Sequence, residues 1–172
     1  MSFDLSVARD LPPELYPLSW LIGRWQGTGR VSYQGIEDSG IDQVISFSHS
    51  GGPYLAYSAT THLDEPAGGQ LWHEETGFWR LTPGQTQADP PFELEVLLAD
   101  PAGSLSLYLG QVNGQRIDLA SDAIMRTASA AEYSAAARLY GLVESDLLWA
   151  WDVAALGQPL ASYISARLAR QD

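Results

Sequence analysis

The side chains of this chain that could do chemistry are few, and few of them are grouped. It has 3 histidines, His49, His62 and His73, and the last runs directly into Glu74 and Glu75. A zinc hydrolase built on His49, His73 and Glu74 or Glu75 is conceivable, but the spacings along the chain match no metal-ligand signature. Serine, histidine and aspartate are all present, yet no G-x-S-x-G nucleophile elbow occurs. Glu93, Glu95, Asp118 and Asp122 fall on strand faces that read as solvated, and nothing marks two of them as an acid–base pair. The absence of cysteine excludes thiol catalysis, thiolate metal sites and disulfides. GRWQGTGR, residues 23–30, has phosphate-loop glycines but not the lysine or the following helix, and the chain contains no lysine at all.

The elements that must position these groups read as strands. In PFELEVLLA, Phe92, Leu94, Val96 and Leu98 share one face and Glu93 and Glu95 the other, the period of a half-buried strand. In SLSLYLGQVNGQRIDLAS, Leu105, Leu107 and Leu109 alternate with Ser106 and Tyr108. Asn113-Gly114 then signals a type I′ hairpin before Ile117 and Leu119. ISFSHSGGPYLAYSATTHL reads as two strands joined at Gly51-Gly52-Pro53, and SDLLWAWDV alternates with Leu147, Trp149 and Trp151 on one side. AEYSAAARLY is compatible with either helix or strand. About ten strands follow a proline-marked lead-in (Pro12, Pro13, Pro17) with a short helical turn, so an all-β antiparallel barrel is expected, closure removing the exposed edges.

The 172 residues make one domain, 1–172, with 1–14 as the lead-in. A net charge of −12 and an isoelectric point near 4.4 disfavour nucleic acid and anionic membranes as partners. The first fifteen residues lack the charge and apolar order of a signal peptide, and no apolar run approaches the roughly 20 residues of a membrane span. A cytoplasmic location is therefore expected, and exposed aromatics leave homodimerisation open. The glycines around Trp25 read as architecture: Gly23, Gly27 and Gly29 let the first strand coil tightly, and Trp25 plugs the barrel end with Trp20 and Leu21 as a lid.

These residues also carry a resemblance. Gly23-Arg24-Trp25-Gln26-Gly27-Thr28-Gly29, preceded by LSWLIG, resembles the G-x-W-x-G-x-G opening of the nitrobindin family. Phe47–Pro53 (FSHSGGP) is similar to that family's F-x-H-x-G-K-P, and Leu71–Arg80 (LWHEETGFWR) to LHxExGYWR. Ile117–Asp122 and Gly157-Gln158-Pro159-Leu160 continue the match in order. The resemblance implies a ten-stranded barrel, lipocalin-like in shape, whose apolar cavity holds ferric haem b on one histidine of the last strand. It further implies nitric oxide binding and isomerisation of peroxynitrite to nitrate. His49 and His73 match the pattern away from the iron ligand, which implies structural hydrogen-bond roles.

The chain departs from the pattern where the iron ligand belongs. The family's ending resembles Q-P-L-x-x-H-L-x-A-x-L-x-R, whereas Gln158–Arg170 reads QPLASYISARLAR. Tyr163 stands at the axial histidine's position, and no histidine follows His73. Gly35 stands where the family's haem-contacting threonine would be. The expectation is therefore a nitrobindin-like barrel that does not bind haem in the family manner and takes a small hydrophobic ligand, with no cofactor and no catalytic residue assigned. One alternative is a haem-b protein ligated by Tyr163, helped to ionise by Arg167 or Arg170. Another is a lipid carrier that takes a fatty-acid carboxylate on Arg126 or Arg138. Simple alternation groups Tyr163 with Ser165 and Arg167 on the outside of the barrel, unless a bulge intervenes.

Overall fold

The computed structural model describes residues 10–85 and 88–172; the first nine residues of the lead-in lie outside the described residues. A 3₁₀ helix, Pro13–Leu21, leads into ten strands among the described residues: β1 (Gly23–Tyr33), β2 (Ile36–Ser48), β3 (Leu55–Leu63), β4 (Leu71–Leu81), β5 (Phe92–Asp100), β6 (Ser104–Asn113), β7 (Arg116–Arg126), β8 (Tyr133–Val143), β9 (Asp146–Ala155) and β10 (Ala161–Gln171). Each strand pairs antiparallel with its sequence neighbour, and β1 pairs with β10 to close the barrel. Closure pairs every strand on both sides, so most backbone polar groups find ladder partners, the β7–β8 seam being paired over only part of its length.

Period-two alternation sends one face of each strand into a continuous core that includes Trp25, Ile45, Phe47, Trp79, Tyr108, Tyr140 and Leu168. The alanine-rich segment is strand β8, because its alternate residues Ala136, Arg138 and Tyr140 are needed on the inner wall. In β6 the alternation is present, but the faces are the reverse of what hydropathy suggests. Tyr108 is buried, whereas Leu105 and Leu109 stand 55% and 44% exposed. The β6–β7 hairpin forms, with Gly114-Gln115 as the two-residue loop between the paired Asn113 and Arg116. Only Gly114 of the two takes a positive φ, 59°, which is the pattern of a II′ turn and not of the expected I′. The β8–β9 turn instead uses Glu144 and Ser145 at φ 52° and 72°, the I′ pattern without a glycine.

Two irregularities shape one end of the barrel. Strands β7 and β8 pair only over Arg116–Ala120, so the later part of β7 and the start of β8 splay apart near Tyr133. In β10, Ser162 pairs with Asp152 while Ile164 pairs with Trp151, so Tyr163 is an extra, bulged residue.

Candidate functional site

Strand parity on β4 places His73, Glu75, Gly77 and Trp79 on one face, and Trp79 points that face into the core. Glu75 is consequently buried, and Arg138 of β8 meets it across the barrel, 3% exposed. The pair is bidentate: Nη1 donates to Oε1 at 2.5 Å and Nη2 to Oε2 at 2.8 Å. The Tyr57 hydroxyl donates to Glu75 Oε1 at 2.8 Å, Arg138 Nε donates to the Tyr108 hydroxyl at 3.1 Å, and His73 Nε2 lies 3.3 Å from Glu75 Oε2. The guanidinium carbon sits 4.2 Å from the centre of the Trp151 ring. Burial pushes the Glu75 carboxyl up, but the Arg138 charge and hydrogen bonds outweigh it and hold the group well below the usual carboxylate range. Burial, helped by the nearby Glu75 charge and opposed by Arg138, pushes the Tyr140 phenol up to about 12. Nearby, Trp149 Nε1 donates to Gln43 Oε1 at 2.6 Å and Gln43 Nε2 to Thr61 Oγ1 at 2.8 Å. The Glu75 and Arg138 charges are thus matched and hydrogen-bonded, whereas the buried indole N–H groups of Trp79 and Trp151 beside them meet no partner among the described residues.

Above it lies the open end. The bulge turns Tyr163 inward, where its hydroxyl accepts a hydrogen bond from Trp72 Nε1 at 2.8 Å. Its ring meets Tyr33 edge-on at 5.9 Å and Trp151 at 5.1 Å. Burial pushes the Tyr163 phenol above its ordinary value, the Trp72 hydrogen bond opposing only in part. Tyr33, His73, Tyr133, Trp151, Val153 and Tyr163 surround a cavity of about 240 Å³.

The opposite end is sealed. Trp25 is fully buried beneath the 3₁₀ helix, donating from Nε1 to the Leu21 carbonyl at 2.8 Å. Arg170 of β10 stacks 4.1 Å from the Trp25 ring centre and donates to the carbonyls of Trp20 and Ile22. Gly27 and Gly29 face β10 so closely that a Cβ would fall on the carbonyl oxygens of Arg167 and Ser165. Gly23 opens β1 beneath the Arg170 side chain, and Gly35 sits in the β1–β2 turn with open space around it. The glycine motif thus lies at the sealed end and along the β1–β10 seam.

Other expected arrangements do not assemble. Arg167 is outside, bound to Asp146 and Glu144, and Arg170 is committed to the lid, so neither assists Tyr163. Arg138 is internal as a carboxylate site demands, but Glu75 already occupies both arms of its guanidinium. Arg126 donates to the Ala131 carbonyl on the exposed side. His62 is exposed, and His49 follows β2 beside the end of β4 remote from His73. The buried His49 Nδ1 meets no hydrogen-bond partner among the described residues, so its expected hydrogen-bonding role is not seen at that nitrogen. No three His, Cys, Asp or Glu side chains converge on a metal-sized site among the described residues, and no helix among them is long and apolar enough to cross a membrane. Sequence reasoning missed Trp72, and it weighed Glu75 only as a zinc ligand beside His49 and His73, not as the buried partner of Arg138. Parity with Trp79 was the available signal for Glu75.

A closed ten-stranded antiparallel barrel, sealed at one end and hollow at the other, defines the class. The chain belongs to the THAP4-like, heme-binding beta-barrel domain family, whose model matches residues 14–170, and the nitrobindin resemblance is borne out. It is 47% identical to the "Ferric nitrobindin-like protein" of Kineococcus radiotolerans, over 96% of this chain and 98% of that one. It is 45% identical to the "Peroxynitrite isomerase" of Leifsonia xyli subsp. xyli, over 98% and 100%. Among solved structures, Rv2717c from M. tuberculosis superposes with a TM-score of 0.80 at 32% identity, over 94% of this chain and 99% of that one.

Proposed function

We propose that this chain is a nitrobindin-family barrel that holds a small apolar or amphipathic molecule at its open end and does not bind haem in the family manner. The observation that carries the reading is Tyr163. By the family pattern it stands at the iron ligand's position, and it is a neutral phenol already bonded to Trp72. Tyrosinate can ligate ferric iron, but it must first ionise, and here burial opposes ionisation while both candidate arginines are bound elsewhere. The cavity beside it, about 240 Å³, is also below the roughly 300–1,000 Å³ that encloses a drug-sized ligand. The residues present do not fit an iron porphyrin, and no chemistry at iron is assigned to them.

The test is Tyr163→His compared with the wild type in hemin titrations. Gain of a saturable, red-shifted Soret band in the variant alone supports a lost ligand in an otherwise competent pocket. No gain in either protein supports a pocket remodelled beyond that one residue. A stoichiometric band in the wild type overturns the reading.

A further inference from the structure

The rings at the open end are arranged as walls. Tyr33 and Tyr163 meet at 82°, Trp151 and Tyr163 at 71°, and Tyr133 and Trp151 at 81°, with centroid separations of 5.9, 5.1 and 6.4 Å. Aromatic rings set at right angles around a small space present several π surfaces to whatever occupies it, and π faces are negative. The phenols of Tyr133 and Tyr163 stay neutral, because burial raises both. Asp100 and the exposed Glu132 are also among the lining residues, and one Asp100 oxygen accepts from the Ala102 amide at 2.8 Å. Arg138 lies behind Trp151 and is not part of the lining, and its charge is matched by Glu75. The chain as a whole carries a net charge of −12.

Resting on the reading that this cavity holds a small molecule in place of haem, we propose that the ligand is a compact organic cation of the quaternary ammonium or methylated-amine class. Three features converge on it. A box of neutral aromatic rings is the recurrent site for methylated ammonium groups, because attraction to the ring faces survives where hydrogen bonding to the cation is impossible. The volume suits a molecule of few heavy atoms. The carboxylates of Asp100 and Glu132 draw a cation toward the opening, and the overall negative field steers it there.

The experiment uses the full chain with two probes of the same shape, choline and its neutral isostere 3,3-dimethylbutan-1-ol, followed by calorimetry and by amide NMR shifts. Choline is expected to bind saturably, and the alcohol about tenfold or more weaker, as one or two cation–π contacts are worth. Trp151→Leu should weaken choline about tenfold. Because Trp151 also touches Arg138, the exposed Glu132→Gln provides an independent arm: a few-fold weaker choline binding with a shallower salt dependence. Equal binding of choline and the alcohol overturns the cation proposal while leaving a small-ligand barrel in place. Binding of neither probe also overturns it, and the hemin titration then decides separately whether the barrel is a haem protein.

Discussion

The two ends of the barrel use the same materials to opposite effect. At the sealed end, a tryptophan, an arginine and a 3₁₀ helix lock together: Trp25 donates to Leu21, Arg170 stacks on Trp25, and the same guanidinium caps two carbonyls of the lid. The Trp25 N–H and both Arg170 amino groups have backbone carbonyl partners there, and the Trp25 ring is fully buried. At the open end, Tyr33, Trp151 and Tyr163 meet edge to face around a cavity of about 240 Å³. The difference lies in what backs each ring. Carbonyls of a packed helix fix Trp25, whereas a bulge and a splayed β7–β8 seam leave Tyr163 and Tyr133 against open volume. The Glu75–Arg138 pair separates the two regions.

The contrast predicts unequal costs. Trp25→Ala should destabilise the fold by about 3–5 kcal/mol, as for large core aromatics, measured by denaturant unfolding. Arg138→Met should cost about as much, 3–5 kcal/mol, because it leaves the Glu75 charge buried and uncompensated. Combining it with Glu75→Leu should recover most of that loss, and a double variant as unstable as the sum of the singles would refute the pairing account. Smaller again is the pH effect of Glu75. Its folded pKa is depressed, so its stabilisation is complete above the ordinary carboxyl value of about 4.5 and is lost progressively as pH falls below it. Melting temperature measured from pH 6 to pH 2 should therefore fall less steeply in Glu75→Gln than in the wild type. The smallest effect belongs to the open end. Tyr163→Phe should cost only about 1 kcal/mol, the Trp72–Tyr163 hydrogen bond, and a loss comparable to Trp25→Ala would mean that the two ends are equally load-carrying.

Much of the fold could be read from the chain. The alternation of Leu147, Trp149 and Trp151 and of Leu94, Val96 and Leu98 places inner faces correctly, because burial on one side of a pleat writes itself as period two. Hydropathy misleads where a barrel wall departs from it. Leu105 and Leu109 face outward, and Glu75 faces inward because Arg138, 63 residues away, meets it there. Parity with Trp79 marks the face of Glu75, but the distant partner that permits a buried charge there leaves no local signature. The bulge at Tyr163 is equally hidden, since register belongs to two strands and not to one. Once that extra residue is known, the phenol's position follows. At Gly27 and Gly29 the β10 carbonyls leave no room for a Cβ, a contact between two strands far apart in sequence.

We propose above all that Tyr163 serves this barrel as a neutral wall of a small cavity and not as an iron ligand. An absorption titration of the purified wild-type chain with hemin tests it most directly. The account predicts no saturable Soret shift at one equivalent and no acceleration of peroxynitrite decay to nitrate. A tight one-to-one ferric complex with tyrosinate character in its charge-transfer bands would contradict it.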